Sequence, residues 1–158
     1  MVTKKRLYKF PRYWYHLSKT LKEKEITLTP IDDSTNRSYE EPAGARICVA
    51  PTIEQCITAL TYNLHQTFYI YRTKNIIKAK EPSENAIFDV EITNEGWIEI
   101  PMTFVKIGKL DFDRIVDILL ENNKEIIEES ASSGNVIYCE EVLRWWKKLK
   151  VKRFIERA

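Results

Sequence analysis

Four consecutive residues near the N-terminus, Tyr15-His16-Leu17-Ser18, carry the side chains best suited to chemistry. The aromatic run that contains them, residues 12–18, is typical of a β-strand. Because side chains on a strand point alternately to its two faces, we expect His16 and Ser18 to share one face. An imidazole and a hydroxyl placed in this way can hydrogen-bond the two ends of one ligand. The other interpretation, which stays open, is a structural histidine in an aromatic patch.

The common motifs for other chemistries are missing from the sequence. No G-x-x-x-x-G-K-[ST], G-x-G-x-x-G or G-x-S-x-G is present, so the usual nucleotide and hydrolase loops are not expected. His16 and His65 form no H-E-x-x-H pair, and no metal site is predicted. The three cysteines, Cys48, Cys56 and Cys139, lack C-x-x-C spacing and have apolar neighbours, which indicates buried thiols rather than nucleophiles, disulfides or zinc ligands. A reducing, cytoplasmic setting is therefore predicted.

The clearest local architecture around these residues is a strand, a turn and a helix between residues 46 and 60. A short apolar run at 46–50 predicts a strand buried in a mixed sheet. Pro51 ends that strand, because proline has no N–H to donate to a ladder. Thr52, with a glutamine three residues later, gives the capping-box pattern, so a helix capped by Thr52 is predicted over 52–60.

The rest of the chain predicts further strands and two more helices. Apolar and aromatic runs indicate strands at 26–30, 67–77, 87–92, 97–100 and 103–107. A long polar loop is predicted at 32–44. Asp111 is placed to cap a second helix that runs to about residue 130, and a third is predicted over about 139–156. The predicted fold class is α+β, a single domain of residues 1–158 with a small mixed β-sheet core and about three helices.

Composition and charge narrow the class of protein. With 44% hydrophobic and 30% charged residues, the chain has the composition of a soluble globular domain. No apolar run approaches the roughly 18–20 residues that a membrane span needs, so no membrane contact is predicted. The net charge is only +2, yet both ends are basic: a lead-in at 1–11 and the predicted C-terminal helix.

The basic C-terminal run interleaves aromatic residues with bases. Such a pattern can contact phosphates and stack on nucleic-acid bases. The candidates for contact with nucleic acid or another partner are Arg144, Trp145, Lys147 and Lys148. The alternative is an amphipathic helix that buries its apolar side and leaves its lysines in solvent.

An aromatic-His-x-Ser strand, followed by a polar loop and a strand–turn–helix, resembles the ADP-ribosyltransferase family. That family binds NAD in a cleft between two sheets. Its first motif is a strand with His or Arg, often followed two residues on by Ser or Thr, and Tyr15-His16-Leu17-Ser18 matches this motif. The similarity covers roughly residues 12–110. It implies NAD as a cofactor and a macromolecular target, in the first place a protein.

The resemblance also implies which residues act. A late strand of the family often supplies a glutamate that stabilises the oxocarbenium-like ribose, and Glu99 is the best match, with Glu95 second. The implied catalytic residues are therefore His16, Ser18 and Glu99, which should line one pocket. The cofactor-binding candidates, by aromatic or guanidinium character, are Tyr15, Arg37, Arg46, Tyr71 and Arg72.

The strand–turn–helix of this chain resembles the family's second region, but it departs from the family's pattern there. In the family this region often holds an aromatic that stacks on nicotinamide, whereas Cys48, Val49 and Ala50 stand here. Tyrosines elsewhere are the available substitutes: Tyr62, Tyr69 and Tyr71.

Two hypotheses follow from the sequence. The first is an NAD-dependent ADP-ribosyltransferase-like enzyme that modifies a macromolecular target. The second is a non-catalytic binding module that holds a host protein or nucleic acid, as in small bacteriophage proteins, which this chain resembles in size. We expect the convergence of His16, Ser18 and Glu99 in one cleft to separate the two.

Overall fold

The computed structural model describes residues 13–32, 44–58, 67–82, 93–111, 144, 147–148 and 150–158. These residues form seven β-strands, one complete α-helix and a short 3-10 helix. The strands are β1 (Tyr15–Ser18), β2 (Glu25–Leu28), β3 (Ile47–Val49), β4 (Thr67–Thr73), β5 (Gly96–Ile98), β6 (Met102–Asp111) and β7 (Glu156–Arg157). The α-helix, α1, spans Ile53–Thr58, and the 3-10 helix spans Val151–Phe154.

Five strands form the larger sheet, and every pairing in it is antiparallel. Four of them follow the order β1-β4-β6-β2, and β7 pairs with β6. The register sets His16 opposite Tyr71, and Tyr71 opposite Lys106 across β4 and β6. Because partners in a ladder point to the same side, these three side chains lie on one face of the sheet.

The smaller sheet consists of β3 and β5, which are also antiparallel. Within the described residues it joins a strand of the larger sheet at one residue pair, Tyr15 and Ala50. The N–H of Tyr15 donates to the Ala50 carbonyl at 2.8 Å, and the N–H of Ala50 donates back at 3.0 Å. This pair fixes the end of β3 beside the outer edge of β1.

One hydrophobic cluster lies between the two sheets, while other buried side chains lie on the opposite face of the larger sheet: Phe68, Ile70 and Leu110. Tyr71 and Phe104 from the larger sheet pack with Ile47 and Val49 from β3, and all four are buried. Trp14 is 2% exposed in the same cluster, and its indole N–H donates to the Ile77 carbonyl at 3.2 Å. His16 lies on the core-facing side of its sheet, next to this cluster.

The predicted strand–turn–helix is confirmed as far as residue 58, and the last two residues of the predicted helix, 59–60, lie outside the described residues. β3 is bounded by bridge residues Arg46 and Ala50, and α1 begins directly after Thr52. The Thr52 hydroxyl accepts the backbone N–H of Gln55 at 3.2 Å, as an N-cap does, and donates to the Gln55 side-chain oxygen at 2.9 Å. β3 was predicted to lie in a mixed sheet, but within the described residues it forms a two-stranded antiparallel sheet with β5.

The prediction of an α+β fold with a mixed sheet and about three helices is wrong. Within the described residues both sheets are antiparallel and strands predominate over the single complete α-helix. Asp111, expected as a helix cap, is the last residue of β6, and the remainder of that predicted helix lies outside the described residues. The predicted C-terminal helix, about 139–156, is helical at the described residues 144 and 147–148, but its last part is instead the 3-10 helix and β7.

Gly108 explains part of this difference. The sequence predicted a strand that ends at residue 107, directly before this glycine, whereas β6 continues through it to Asp111. A Cβ at this position would stand 2.5 Å from the Glu156 carbonyl oxygen and 2.6 Å from an Ile155 methyl carbon. The glycine therefore allows the end of the chain to approach β6 closely and pair with it as β7. The predicted strand at 87–92 and nearly all of the predicted loop at 32–44 lie outside the described residues.

Candidate functional site

The imidazole of His16 is held at the junction of the two sheets. Its Nδ1 lies 3.0 Å from the Cys48 carbonyl oxygen, and its ring centroid lies 5.8 Å from that of Phe104. Burial lowers the pKa of His16, and the opposing effect of the bond to Cys48 is smaller. The ring is therefore neutral near pH 7. Since only an N–H can bond a carbonyl, Nδ1 carries the proton and Nε2 keeps a lone pair that can accept a hydrogen bond.

A small open pocket lies beside this histidine. Its volume is about 130 Å³, close to the roughly 150 Å³ of an engineered cavity that binds benzene. It therefore has room for one small ring. The lining residues come from β1, the β3–α1 corner and the entry to β5: His16, Leu17, Cys48, Val49, Ala50, Cys56, Thr93 and Glu95.

Leu17 also lines the pocket, and the direction of its backbone groups follows from the strand pairing. Tyr15 directs both its N–H and its carbonyl to Ala50, on the side of β1 away from β4. In an antiparallel ladder the backbone groups of alternate residues point the same way. The N–H and the carbonyl of Leu17 thus point away from β4, to the same side of β1 as Ala50.

Glu95, the residue directly before β5, also lines the pocket. Asn94 has a φ of 49°, a left-handed conformation that asparagine tolerates, and it turns the chain into that strand. The indole N–H of Trp97 donates to the Glu95 carboxylate at 2.9 Å.

Two free thiols also line the pocket. The Cys56 thiol donates to the Tyr15 carbonyl at 3.1 Å. Burial raises the pKa of Cys56, and the nearby carboxylates of Glu95 and Glu54 raise it further. The prediction of a buried thiol is confirmed for Cys56, and its raised pKa favours the protonated, less nucleophilic form. Cys48 is half-buried.

The structure does not bring Ser18 and Glu99 into this pocket. The Ser18 hydroxyl accepts the N–H groups of Thr20 at 3.3 Å and Leu21 at 3.1 Å, so it closes the turn after β1. The Glu99 carboxylate pairs with the Lys80 ammonium at 3.0 Å on an exposed surface. Of the three residues expected to converge, His16 alone lines the pocket, and Glu95 occupies the place expected of Glu99.

The tyrosines proposed to bind the cofactor have other surroundings. Tyr71 is fully buried, and its hydroxyl donates to the Glu23 carbonyl at 2.8 Å. Tyr69 is half-buried, with the ammonium groups of Lys22 and Lys106 5.9 and 5.7 Å from its ring centroid. Tyr15 precedes His16 and so points to the opposite face of the sheet. Tyr62 lies outside the described residues.

Arg46 and Arg72, two of the arginines among the cofactor-binding candidates, do not line the pocket either. Arg46 is buried and stacks on the Trp97 ring, with its guanidinium carbon 4.0 Å from the ring centroid. Arg72 stacks on Tyr13 at 4.2 Å, on the face of the sheet opposite to His16. Arg37 lies outside the described residues.

The basic C-terminal candidates are only partly described. Arg144, Lys147 and Lys148 are helical and exposed, as the predicted amphipathic helix requires at these positions. Trp145 lies outside the described residues. Binding of nucleic acid through this segment stays a prediction.

Sequence reasoning ranked Glu95 second and did not identify the Leu17 backbone. The period of two in a strand assigns Glu95 and Glu99 to one face, so it cannot choose between them. The direction of that backbone depends on which strands pair, and pairing is set by contacts distant in sequence. The position of Leu17 directly after His16 was the one available signal.

The chain matches no protein-family model, no curated protein and no solved structure. Among the described residues, no group of three or more His, Cys, Asp or Glu side chains is placed to hold a metal ion. In the same residues, no helix has the length and apolarity to cross a membrane.

Proposed function

We propose that the chain binds NAD with its nicotinamide in this pocket and transfers ADP-ribose to a macromolecular target, in the first place a protein. One observation carries the proposal. His16, Leu17 and Glu95 line a single ring-sized pocket between two sheets, and a cleft between two sheets is the NAD site of the family that the sequence resembles.

The pocket suits a nicotinamide ring in size and in hydrogen bonding. A volume of about 130 Å³ admits one small ring, and Val49 and Ala50 supply apolar wall. A primary carboxamide offers one oxygen acceptor and an NH₂ donor side by side. The N–H and carbonyl of Leu17 form the complementary pair, so two backbone hydrogen bonds can fix the ring's orientation.

His16 is suited to hold the adjoining ribose. Its neutral ring presents Nε2 as an acceptor, because Nδ1 donates to Cys48. A ribose hydroxyl can donate to that nitrogen. The bond to the Cys48 carbonyl fixes both the tautomer and the ring orientation, which limits the entropy lost when a ligand binds.

Glu95 is suited to stabilise the reacting sugar. In the transfer, the bond between nicotinamide and the ribose C1′ breaks, and its electron pair leaves with neutral nicotinamide. The sugar becomes positively charged until a nucleophile of the target bonds to C1′ and releases its proton to solvent. A carboxylate beside C1′ favours that charge electrostatically. Trp97, which donates to Glu95, holds the carboxylate in place.

The test combines a calorimetric titration with NAD and an assay for released nicotinamide. We expect Glu95→Gln to lower the release rate by about 10²–10³-fold with little change in NAD affinity, because the lost interaction belongs to the transition state. His16→Ala should weaken NAD binding itself. Glu99→Gln is the matched control, since the same change at the surface pair with Lys80 should leave release unchanged.

Two results would overturn this assignment. Absence of NAD binding by the wild-type protein at millimolar concentration would reject NAD as the ligand. Loss of release in Glu99→Gln but not in Glu95→Gln would return the catalytic role to Glu99, the first choice of the sequence.

The second candidate function is a non-catalytic module that holds a host protein or nucleic acid. The observation that favours it is the use of Ser18 and Glu99 in contacts that maintain the fold or the surface. NAD binding without nicotinamide release would support a module that has kept the pocket and lost the reaction. A cytoplasmic setting belongs to both proposals, and the free thiols of Cys48 and Cys56 support it.

A further inference from the structure

Arg72 lies on the face of the larger sheet that does not contribute to the pocket. It follows Tyr71, which is directly opposite His16, and neighbouring residues of a strand point to opposite faces. The cross-strand partner of Arg72 is Tyr15. This face therefore presents a guanidinium beside a tyrosine, with the sheet between them and His16.

The guanidinium of Arg72 is held by stacking rather than by hydrogen bonds. Its central carbon lies 4.2 Å from the centroid of the Tyr13 ring. Its Nε is buried and has no hydrogen-bond partner. Within the described residues, no carboxylate forms an ion pair with it. Glu25, which shares its cross-strand row through Val105, is paired with Lys74 at 3.1 Å.

An arrangement of this kind works against stability. Burying an N–H without an acceptor costs free energy, because the hydrogen bonds that water would supply are lost. A charge that no counter-ion neutralises raises this cost further. Stacking on Tyr13 fixes the plane of the guanidinium but satisfies none of its donors. The planar fork of five N–H groups matches the oxygens of a tetrahedral oxyanion.

We propose that Arg72, flanked by Tyr13 and Tyr15, binds a phosphate group of a nucleotide or of a nucleic-acid strand. The guanidinium donates to the phosphate oxygens, and the tyrosine rings offer surfaces on which a base can stack. The site is separate from the nicotinamide pocket, because the two lie on opposite faces of the larger sheet. It does not depend on the function proposed above.

The test measures binding of two probes at low salt: AMP, and a single-stranded DNA of ten thymidylates. We expect Arg72→Gln to weaken binding by about 10- to 100-fold, the loss typical of a charge-assisted pair of hydrogen bonds. Arg72→Lys should fail to restore affinity, because an ammonium lacks the planar fork. A strand that binds much more tightly than AMP identifies nucleic acid as the source of the phosphate, and equal affinities identify the nucleotide.

Two controls make the outcome decisive. Lys109→Gln removes the same charge from the other face of the sheet and should leave binding unchanged. Arg72→Met should keep or raise the melting temperature, since an unpartnered buried donor is removed. Equal affinities for wild type and Arg72→Gln, or no binding of either probe at millimolar concentration, would overturn the proposal. A large fall in melting temperature for Arg72→Met would mark Arg72 as structural.

Discussion

Replacing Gly96 with alanine should destabilise the fold by steric overlap alone. Gly96 is the first residue of β5 and is buried. A Cβ there would stand 2.7 Å from Cζ3 and 2.8 Å from Cη2 of Trp14, and 2.8 Å from Cβ of Ala79. All three distances are shorter than the contacts that Cβ atoms make in folded proteins, so Trp14, Ala79 or the backbone of β5 must shift.

Neither neighbour can shift easily. The Trp14 ring is 2% exposed and is held by its hydrogen bond to the Ile77 carbonyl. Ala79 precedes Lys80, whose backbone forms a double bridge to Trp97 at 2.8 and 2.9 Å. Overpacking a well-packed core costs about 1–3 kcal/mol, and two rigid neighbours favour the upper end. Reduced freedom of the unfolded chain offsets about 0.4–1 kcal/mol, so the net loss should be about 2 kcal/mol.

The assay is thermal and urea denaturation followed by circular dichroism. For a chain of this size, a loss of about 2 kcal/mol lowers the melting temperature by about 4–8 °C. Ala79→Gly in the Gly96→Ala background removes one of the overlaps, so a double-mutant cycle should show partial recovery. An unchanged or raised melting temperature in Gly96→Ala would refute the reasoning, and additive effects in the cycle would show that the two positions do not overlap.

Two further predictions concern His16 and Thr52. Burial lowers the folded-state pKa of His16 below its ordinary value of 6.5, so the unfolded chain binds this proton more readily. The stability that neutral His16 contributes is therefore complete above about pH 6.5 and is lost as the pH falls towards the folded-state pKa. In urea denaturation between pH 5 and 8, the free energy of unfolding of the wild type should fall as the pH is lowered, and that of His16→Gln should fall less. Thr52→Ala removes the hydroxyl that caps α1 and should cost about 0.5–2 kcal/mol in urea denaturation, whereas Thr52→Ser, which keeps the hydroxyl, should cost much less. Equal losses for the two Thr52 variants would contradict the capping role.

Local signals in the sequence predicted local structure well. Pro51, Thr52 and Gln55 lie within a few residues of one another, and their chemistry alone determines where β3 ends and α1 begins. The same local signals could not predict which strands pair, or that both sheets are antiparallel. Whether β3 pairs with β5 or with the larger sheet depends on the side chains that fill the space between the sheets, and these come from distant parts of the chain. The role of Gly108 depends on the approach of residues near the C-terminus.

In the candidate site, too, the sequence predicted what depends on neighbouring residues and missed what depends on distant contacts. The alternation of a strand correctly assigned His16 to a face, because that assignment needs only its neighbours. Ser18 shares the strand, but its hydroxyl accepts backbone N–H groups from the turn that follows, which a polar side chain at a strand end commonly does. The choice between Glu95 and Glu99 depends on where β5 begins and on the position of Lys80. Neither is encoded within the segment that contains both glutamates.

The carbonyl oxygen of Tyr15 connects three elements at one atom. It accepts the N–H of Ala50 and the thiol of Cys56, so both of its lone pairs are in use. β1, the end of β3 and α1 therefore cannot separate one at a time without leaving a buried polar group unpaired. The walls of the pocket should open together, as one cooperative unit, and access to the Cys56 thiol and exchange of the Ala50 amide should report the same opening event.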